Sequence, residues 1–509
     1  MRIAVHLDRA RLFRWHRVLV DALRDAGHDT HVRFRDTSEP LPTSLTAILD
    51  FDRVRQKSGP ERLSTRMNPD AFAGDVEGSA STADLTLDLS TSSVMTRIPG
   101  RVLRPTYDGA VKDTALFHAL LDGRAPQLWV QDTATGGAWT IGLPALETPT
   151  RLAPSLDQTA SRLIEGILRT LSRIAAGEKP PDQSASGASD KAAGSILKSV
   201  SAFAGRRTTR KLTNVRDKIV GNQPRWHVAW RTVPRETDAP DVGSRDLSQF
   251  RVLEDDGQRY FADPFVFVHE GVHHVFVEEL PSSTGVGVIS HVRIAADGTA
   301  SAPRVVLSTG AHLSYPQVFA RDGAIWMLPE CAASGGLDLY RAESFPDRWV
   351  KHARLIDGRV HDATLFEHDH ILWIAAGCEA FQSSTWDALS LFYADKLTGP
   401  WRPHAKNPVL IDARSARPAG PFWRDRGQLY RPAQDCSGGY GGKIAVKRVT
   451  KLSPEDFAEE HAGEISFDTA RGVLGPHTIH RAGGVEVVDV YARPGALREA
   501  FRAGVGTGT

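Results

Sequence analysis

One pattern limits the fold of this chain more than any other: a strand, a tight turn and a second strand of matching length, met five times. "ADPFVFVHEGVHHVFVEE" begins at Ala262, "SYPQVFARDGAIWMLPEC" at Ser314 and "HDATLFEHDHILWIAAGC" at His361. "PAGPFWRDRGQLYRPAQDC" begins at Pro418 and "GPHTIHRAGGVEVVDVYA" at Gly475. The starts lie about 50 residues apart. Further strand candidates such as "GVGVISHVRI", "LDLYRAES" and "ALSLFYADK" fill the gaps. A four-stranded unit repeated at that period is a propeller blade, so five copies predict a C-terminal all-β, five-bladed β-propeller over residues 223–495.

That fold has a consequence for chemistry. The first strand of each blade lines the central channel, so residues at the five strand starts converge although they are far apart in sequence. Those positions hold Asp263, Tyr315, Asp362, the segment Arg417-Pro418-Ala419-Gly420, and His477-Thr478. The ends of the second strands add Glu278, Glu279, Glu330, Gln434 and Asp435. A ring of acids around one hole has little use in a purely structural hub. Asp263, Glu330 and Asp362 are the candidate catalytic residues. Tyr315, Arg417, Arg431, Gln434, Asp435, Tyr440 and His477 are the candidate substrate contacts. Structural readings stand beside these: Asp before Pro starts turns, arginines pair with ring carboxylates, and His361 and His477 hydrogen-bond within the channel. Cys331, Cys378 and Cys436 fall at equivalent places in three blades and read as small packed residues.

The remaining sequence makes the chain multidomain. At 509 residues it exceeds one ordinary core. The formal charge of +1 argues against a nucleic-acid partner. Three cysteines exclude a disulfide scaffold, and the absence of a CxxC or CxxH pair argues against a structural zinc; no metal or other cofactor is expected, with a central metal, as some propellers hold, as the alternative. The opening "MRIAVHLDRARLFRWHRVL" is neither a leader nor a span, which suggests a cytoplasmic protein with membrane association left open. Residues 1–150 read as an α/β domain. "RIAVHL" and "THVRF" are strands around a helix with Leu12, Trp15, Val18, Leu19 and Leu23 at helical spacing, ended at Gly27. "ADLTLDLS", the helix "KDTALFHALLDG" and "APQLWVQDT" follow, and a parallel sheet is expected. Neither the Rossmann glycine fingerprint nor the P-loop is present. Residues 151–176 read as a connecting helix. Residues 177–222 read as a linker with a basic amphipathic segment carrying Lys198, Arg206, Arg207, Arg210, Lys211, Arg216 and Lys218 against the single acid Asp217. Over 195–220 that pattern fits either a solvated linker helix or an interfacial helix on an anionic membrane. Residues 496–509 form a tail.

Two resemblances add to this reading. Through "GRVLRPTYDGAVKDTALFHALLDG" the first domain, Rossmann-like in outline, resembles the N-terminal domain of formyltransferases. It lacks that family's Asn-x-His, so the catalytic set does not carry over and a non-catalytic domain is expected. Residues 223–495, through "ADPFVF", "HLSYPQVF", "MLPEC", "HDATLF", "ARPAGPFW", "LYRPAQDCSGGYGGKIAV" and "PHTIH", resemble the propeller domain of glucosamine inositolphosphorylceramide transferases. They more distantly resemble arabinanase, levansucrase and invertase propellers. The arabinanase pattern implies Asp263 as base and Asp362 as the residue that tunes and orients. Its fourth-blade Glu acid has no counterpart in "SARPAGPFW", and Glu330 is the nearest substitute in kind.

A hydrolase that expels an alkoxide needs an acid, whereas a transferase with a phosphate leaving group needs an acceptor base and cations. The resemblance and the missing acid together imply a glycosyltransferase of cell-surface polysaccharide or glycolipid synthesis. Its partners would be a nucleotide-sugar or lipid-phosphate-sugar donor and a glycan or glycolipid acceptor. Arg417, Arg431 and Lys443 are the candidate phosphate cations. A glycoside hydrolase of the arabinanase or invertase type and a non-catalytic glycan-binding protein are the alternatives.

Overall fold

The computed structural model describes residues 1–36, 39–54, 61–76, 83–90, 100–181, 196–234, 237–467 and 472–493. Most of the Pro- and Ser-rich linker and the tail at 496–509 lie outside the described residues. The chain divides into two compact units, Met1–Thr213 with Ala380–Ser384, and Asn214–Glu379 with Thr385–Thr509.

In the first unit the elements are β1 (Arg2–Asp8), α1 (Arg14–Asp25), β2 (Asp29–Arg35), α2 (Thr43–Val54), β3 (Leu85–Asp88) and β4 (Arg101–Tyr107). They continue with α3 (Asp113–Leu121), β5 (Leu128–Asp132), β6 (Ala138–Gly142), α4 (Leu152–Ala175) and α5 (Ile196–Ile219), of which the residues from Asn214 on belong to the second unit. The α1 stripe buries Trp15, Leu19 and Leu23 as its spacing requires. The sheet order is β2-β1-β3-β4-β5-β6. Strands β1 to β4 are parallel, but β5 and β6 run antiparallel, so the sheet is mixed rather than parallel throughout. The short link between β5 and β6 permits only an antiparallel neighbour. Helix α4 is part of this unit, not a connector. Leu152, Leu156, Leu163, Ile164, Ile167 and Leu171 are buried, and Asp52 Oδ2 accepts the Leu152 amide at 2.6 Å, capping the helix from α2. Gly166 is where α4 meets β6: a Cβ there would lie 2.4 Å from an Ile141 methyl.

The second unit consists of five antiparallel blades. Blade 1 is Arg259–His269, Val272–Pro281, Val288–Ile294 and Arg304–Leu307, and blade 2 is Ser314–Arg321, Ala324–Glu330, Gly336–Ser344 and Arg348–Asp357. Blade 3 starts with Val360–His368 and Ile371–Cys378, and blade 4 with Trp423–Asp425 and Gln428–Asp435. Blade 5 contains Ile479–Ala482 and Val485–Ala492. All five expected hairpins are therefore present. Each turns on two residues with positive φ: Glu270-Gly271, Asp322-Gly323, Asp369-His370, Arg426-Gly427 and Gly483-Gly484. This is the two-residue turn whose twist matches that of the flanking strands.

The ring is closed by chain that precedes blade 1. Arg225–Thr232 pairs antiparallel with Val485–Ala492, and Gly243–Arg245 adds a parallel edge strand to blade 4. Neighbouring inner strands are tied by side chains as well as packing. Gln317 donates to the Leu365 carbonyl and accepts from the Leu365 amide, at 2.9 and 2.7 Å. His480 accepts the Val266 amide at 3.2 Å.

Candidate active site at the head of the channel

The inner strands of blades 1 to 3 begin with the same local distortion. The ladder slips between Ala262 and Phe265, between Ser314 and Gln317, and between His361 and Thr364. Inside each slip one residue takes a left-handed backbone: Asp263 (φ 48°), Tyr315 (φ 46°) and Asp362 (φ 47°). Asp tolerates that region better than Tyr does, and neither adopts it without surroundings that hold it there. The bulge re-aims each side chain toward the channel head.

Asp263 is 4% exposed. Its Oδ1 accepts the Thr478 hydroxyl at 2.6 Å and lies 3.2 Å from His477 Nε2, while its amide donates to Asp489 Oδ2 at 3.0 Å. His477 Nδ1 is 2.7 Å from Asp489 Oδ2, and Asp489 Oδ1 accepts the amides of His477 and Thr478. Burial disfavours the Asp263 charge, but His477 and Thr478 outweigh it and hold the carboxyl below its ordinary value. His477, opposed by burial but flanked by Asp489 and Asp263, is held up to about 10. Asp263, His477 and Asp489 also bring ligand atoms within 4.8 Å of one another. That spacing is one a metal ion could use, and His477 Nδ1, buried, has no well-directed hydrogen bond of its own. The three residues form a carboxylate–imidazole–carboxylate row.

Asp362 sits in a second cluster. Arg417 grips it with Nε and Nη2 at 2.5 and 3.2 Å, and Gln434 Nε2 donates to Oδ2 at 2.9 Å. Burial, then the Glu330 and Asp263 charges, push Asp362 up to about 8 against the pull of Arg417. Glu330 accepts the Asp362 amide at 3.0 Å and pairs with His361 Nδ1 at 3.1 Å, and His361 Nε2 reaches Glu379 at 3.2 Å. Burial opposes the Glu330 charge, yet His361, Arg417 and the Asp362 side chain bring it down to about 2. His361 is held up to about 9 by Glu330 and Glu379 despite its burial. Glu278 is raised by burial and by the Asp263 charge, with His312 opposing at 3.2 Å. Asp263, Glu278, Glu330, Asp362 and Arg417 thus feel one another's charge, which marks one shared site.

Aromatic rings flank these acids. Trp226 stands 3.9 Å from the His477 ring, Tyr440 5.0 Å from it, and Trp386 5.2 Å from Tyr440. The Arg417 guanidinium lies over Tyr440 at 5.3 Å. Tyr315 crosses the channel: its hydroxyl contacts Thr364 Oγ1 at 2.9 Å and accepts the Gly420 amide at 2.6 Å.

Of the expected residues, Asp263, Tyr315, Glu330, Asp362, Arg417, Gln434, Tyr440 and His477 meet here. Arg431 does not offer a donor to a ligand. It is fully buried, with Nε and Nη2 on Glu459 and the rest on the Ser415 and Ala416 carbonyls. Asp435 is turned to its own loop, accepting the Ser437 amide and hydroxyl, and Lys443 is engaged by Glu464 at 2.5 Å. Sequence reasoning gave no role to Glu278, and it passed over His312, Asp489, Trp226 and Trp386. Asp489 had a readable signal, a lone carboxylate inside "VVDV" on a buried strand. A separate cavity in the first unit is walled by Phe13, Trp15, Tyr107 and Phe117, and its acids are committed: Asp113 to Arg11, Asp88 to Arg104 and Ser90.

Comparison with known proteins places the likeness on this unit. Residues 253–474 match the family described as "Glucosamine inositolphosphorylceramide transferase 1, N-terminal". The chain is 35% identical over 204 residues to glucosamine inositolphosphorylceramide transferase 1 of Oryza sativa subsp. japonica, and 34% identical over the same length to that of Arabidopsis thaliana. These alignments cover 39% of this chain and 27% of each relative, so the chain spans about a quarter of the length of the curated relatives it matches. Among solved structures, an exo-β-1,3-galactanase from Clostridium thermocellum aligns at TM-score 0.36 and 11% identity, over 52% of this chain and 64% of that one. A GH62 α-L-arabinofuranosidase catalytic domain from Coprinopsis cinerea aligns at 0.35 and 11%, over 53% and 98%. No comparison lends support to the formyltransferase resemblance of the first unit.

Proposed function

We propose that the propeller is the catalytic domain of a glycosyltransferase that builds a cell-surface glycolipid or polysaccharide, and that Asp263 is its base. The observation that carries this is the state of Asp263: a buried carboxylate on a left-handed backbone, kept ionised by His477 and Thr478. Such a group can take the proton of an acceptor hydroxyl as it attacks the anomeric carbon of a donor sugar, while a phosphate leaves with the bonding electrons. Half-buried Trp386 and Tyr440 offer rings of the kind that pack on sugars, with Trp226 buried behind Tyr440 and His477. The relatives are named for transfer involving glucosamine and inositolphosphorylceramide, which favours a glycolipid acceptor here. In this reading the cation that sits among the acids is Arg417, itself bonded to Asp362 and Thr385, so a donor phosphate would have to compete with Asp362 for it. A cytoplasmic setting belongs to the same proposal.

A hydrolytic reading has one observation in its favour, the proton that Asp362 holds up to about 8, because a protonated carboxyl can serve a poor leaving group. One experiment separates the two. The protein is incubated with a panel of nucleotide sugars and glycolipid acceptors, and in parallel with aryl glycosides. Transfer that is lost in Asp263→Asn supports the proposal. Aryl glycoside cleavage without any transfer would replace it with the hydrolase, and neither activity would leave a glycan-binding protein.

A further inference from the structure

Helix α5 (Ile196–Ile219) has an outward face that the proposed sugar chemistry does not use. Among its residues Phe203 and Asp217 are buried, and Asp217 accepts from Arg493 at 2.8 Å. Arg206 donates to the Leu121 carbonyl, Arg207 to Asp52 at 2.7 Å and Arg216 to Asp217 at 3.1 Å, so three of its seven cations have partners in the fold. The rest of the surface is unusual. Leu212 is 65% exposed, Ile219 80%, and Leu197 and Val215 are exposed with them. At about 100° per residue these four fall in a sector of about 60°, on the side opposite Phe203 and Asp217. Lys211 and Lys218 flank the stripe on one side, and Lys198 and Arg216 on the other; all four are exposed.

We propose that α5 is an interfacial helix that lays this stripe on an anionic lipid surface, its flanking cations reaching the headgroups. Charge selects the occupant. The only acid on the helix, Asp217, is turned inward, so a second copy of the same face would set lysine against lysine. An anionic bilayer offers negative charge at the surface and apolar depth beneath it. The helix lies on the membrane rather than through it, since no helix among the described residues is long and apolar enough to cross one. The proposal is independent of the active site: Asp263→Asn is expected to bind lipid as the unaltered chain does, so the two readings fail separately.

The test is co-sedimentation of the full chain with vesicles. With roughly one-third phosphatidylserine in phosphatidylcholine, binding is expected at low salt and at least about tenfold weaker near 0.5 M salt. The double substitution Leu212→Glu with Ile219→Glu is expected to weaken it by at least about tenfold with unchanged far-UV circular dichroism. Lys211→Gln with Lys218→Gln should weaken it less while keeping the apolar part. Equal binding to pure phosphatidylcholine, no binding at low salt, or indifference to the Leu212 and Ile219 changes would each overturn the proposal. So would a solution dimer that Leu212→Glu dissociates and that never binds vesicles, since the stripe would then be a protein interface.

Discussion

Blades 1 and 4 enter the channel with nearly the same four residues, Ala262-Asp263-Pro264-Phe265 and Ala419-Gly420-Pro421-Phe422. Both second residues have positive φ, 48° at Asp263 and 133° at Gly420. In blade 1 the side chain projects toward His477 and Thr478. In blade 4 a Cβ on Gly420 would lie 2.0 Å from the Ile479 carbonyl oxygen, so no side chain fits. The repeat therefore provides the same position in each blade, and the neighbouring backbone decides whether it can carry a side chain. This also explains the acid that "SARPAGPFW" lacks: where the chain passes closest to blade 5, glycine is required.

The largest expected effect tests the blade 1 half of that contrast. Asp263→Asn keeps a residue that accepts left-handed φ and can still bond Thr478, so the fold should hold. Transfer activity should fall roughly a thousandfold, measured as kcat with saturating donor and acceptor. A variant that retains most of its rate would show Asp263 to be only a turn residue and would move the base elsewhere in the cluster.

Blade 4 is tested by Gly420→Ala. The added methyl meets the Ile479 carbonyl, on a residue whose amide is tied to the Ala419 carbonyl at 2.8 Å, and the backbone conformation disfavours any side chain. A loss of about 3 kcal/mol in urea unfolding is expected, with inner strands parting at the blade 4–blade 5 seam. A near-neutral result would mean the seam has slack, and the missing acid would then need another explanation.

How much of this was readable beforehand depends on sequence distance. The five hairpins and their turns are local, set by period-two alternation and paired turn residues, and the sequence shows them. Ring closure is not local: Arg225–Thr232 finds Val485–Ala492 at the far end of the unit, so Trp226 could not be placed at the site. The convergence of Asp263, Asp362 and Glu330 follows from propeller geometry, but their unequal proton affinities follow from neighbours. His477 lowers one, His361 lowers another, and crowding raises the third. Arg431 misled because a buried strand arginine reads as a ligand contact until its partner is known, and Glu459 lies two strands away. In the first unit the parallel βαβ start was legible, whereas the reversal at β5 depended on tertiary pairing.

A smaller effect follows from those unequal affinities. Asp362 is held up to about 8, His361 to about 9 and His477 to about 10, so the folded chain binds these protons more tightly than the unfolded chain. Their contribution is full below the ordinary values and is lost as pH rises through 8 to 10. Glu330, held down to about 2, contributes above the ordinary carboxylate range and is lost as pH falls. Thermal midpoints should therefore decline on both sides. His477→Gln should flatten the alkaline limb, and Glu330→Gln the acid limb, by a few degrees each. An alkaline limb unchanged in His477→Gln would mean that His477 does not hold its proton.

The smallest effect belongs to the residue that joins the two halves of the comparison. Tyr315, the blade 2 counterpart of Asp263, uses the same left-handed backbone to send its hydroxyl across the channel to Thr364 and to the Gly420 amide. It satisfies the one polar group that blade 4 presents where blade 1 presents a carboxylate. Tyr315→Phe keeps the packing against Phe265 and leaves that amide without its acceptor, which should cost about 1 to 2 kcal/mol. Activity should fall little, because the hydroxyl braces the channel rather than touching the reacting atoms. A large drop in kcat with stability unchanged would make the tyrosine a catalytic residue instead, and the division between a chemical blade 1 and a structural blade 4 would have to be redrawn with blade 2 on the chemical side.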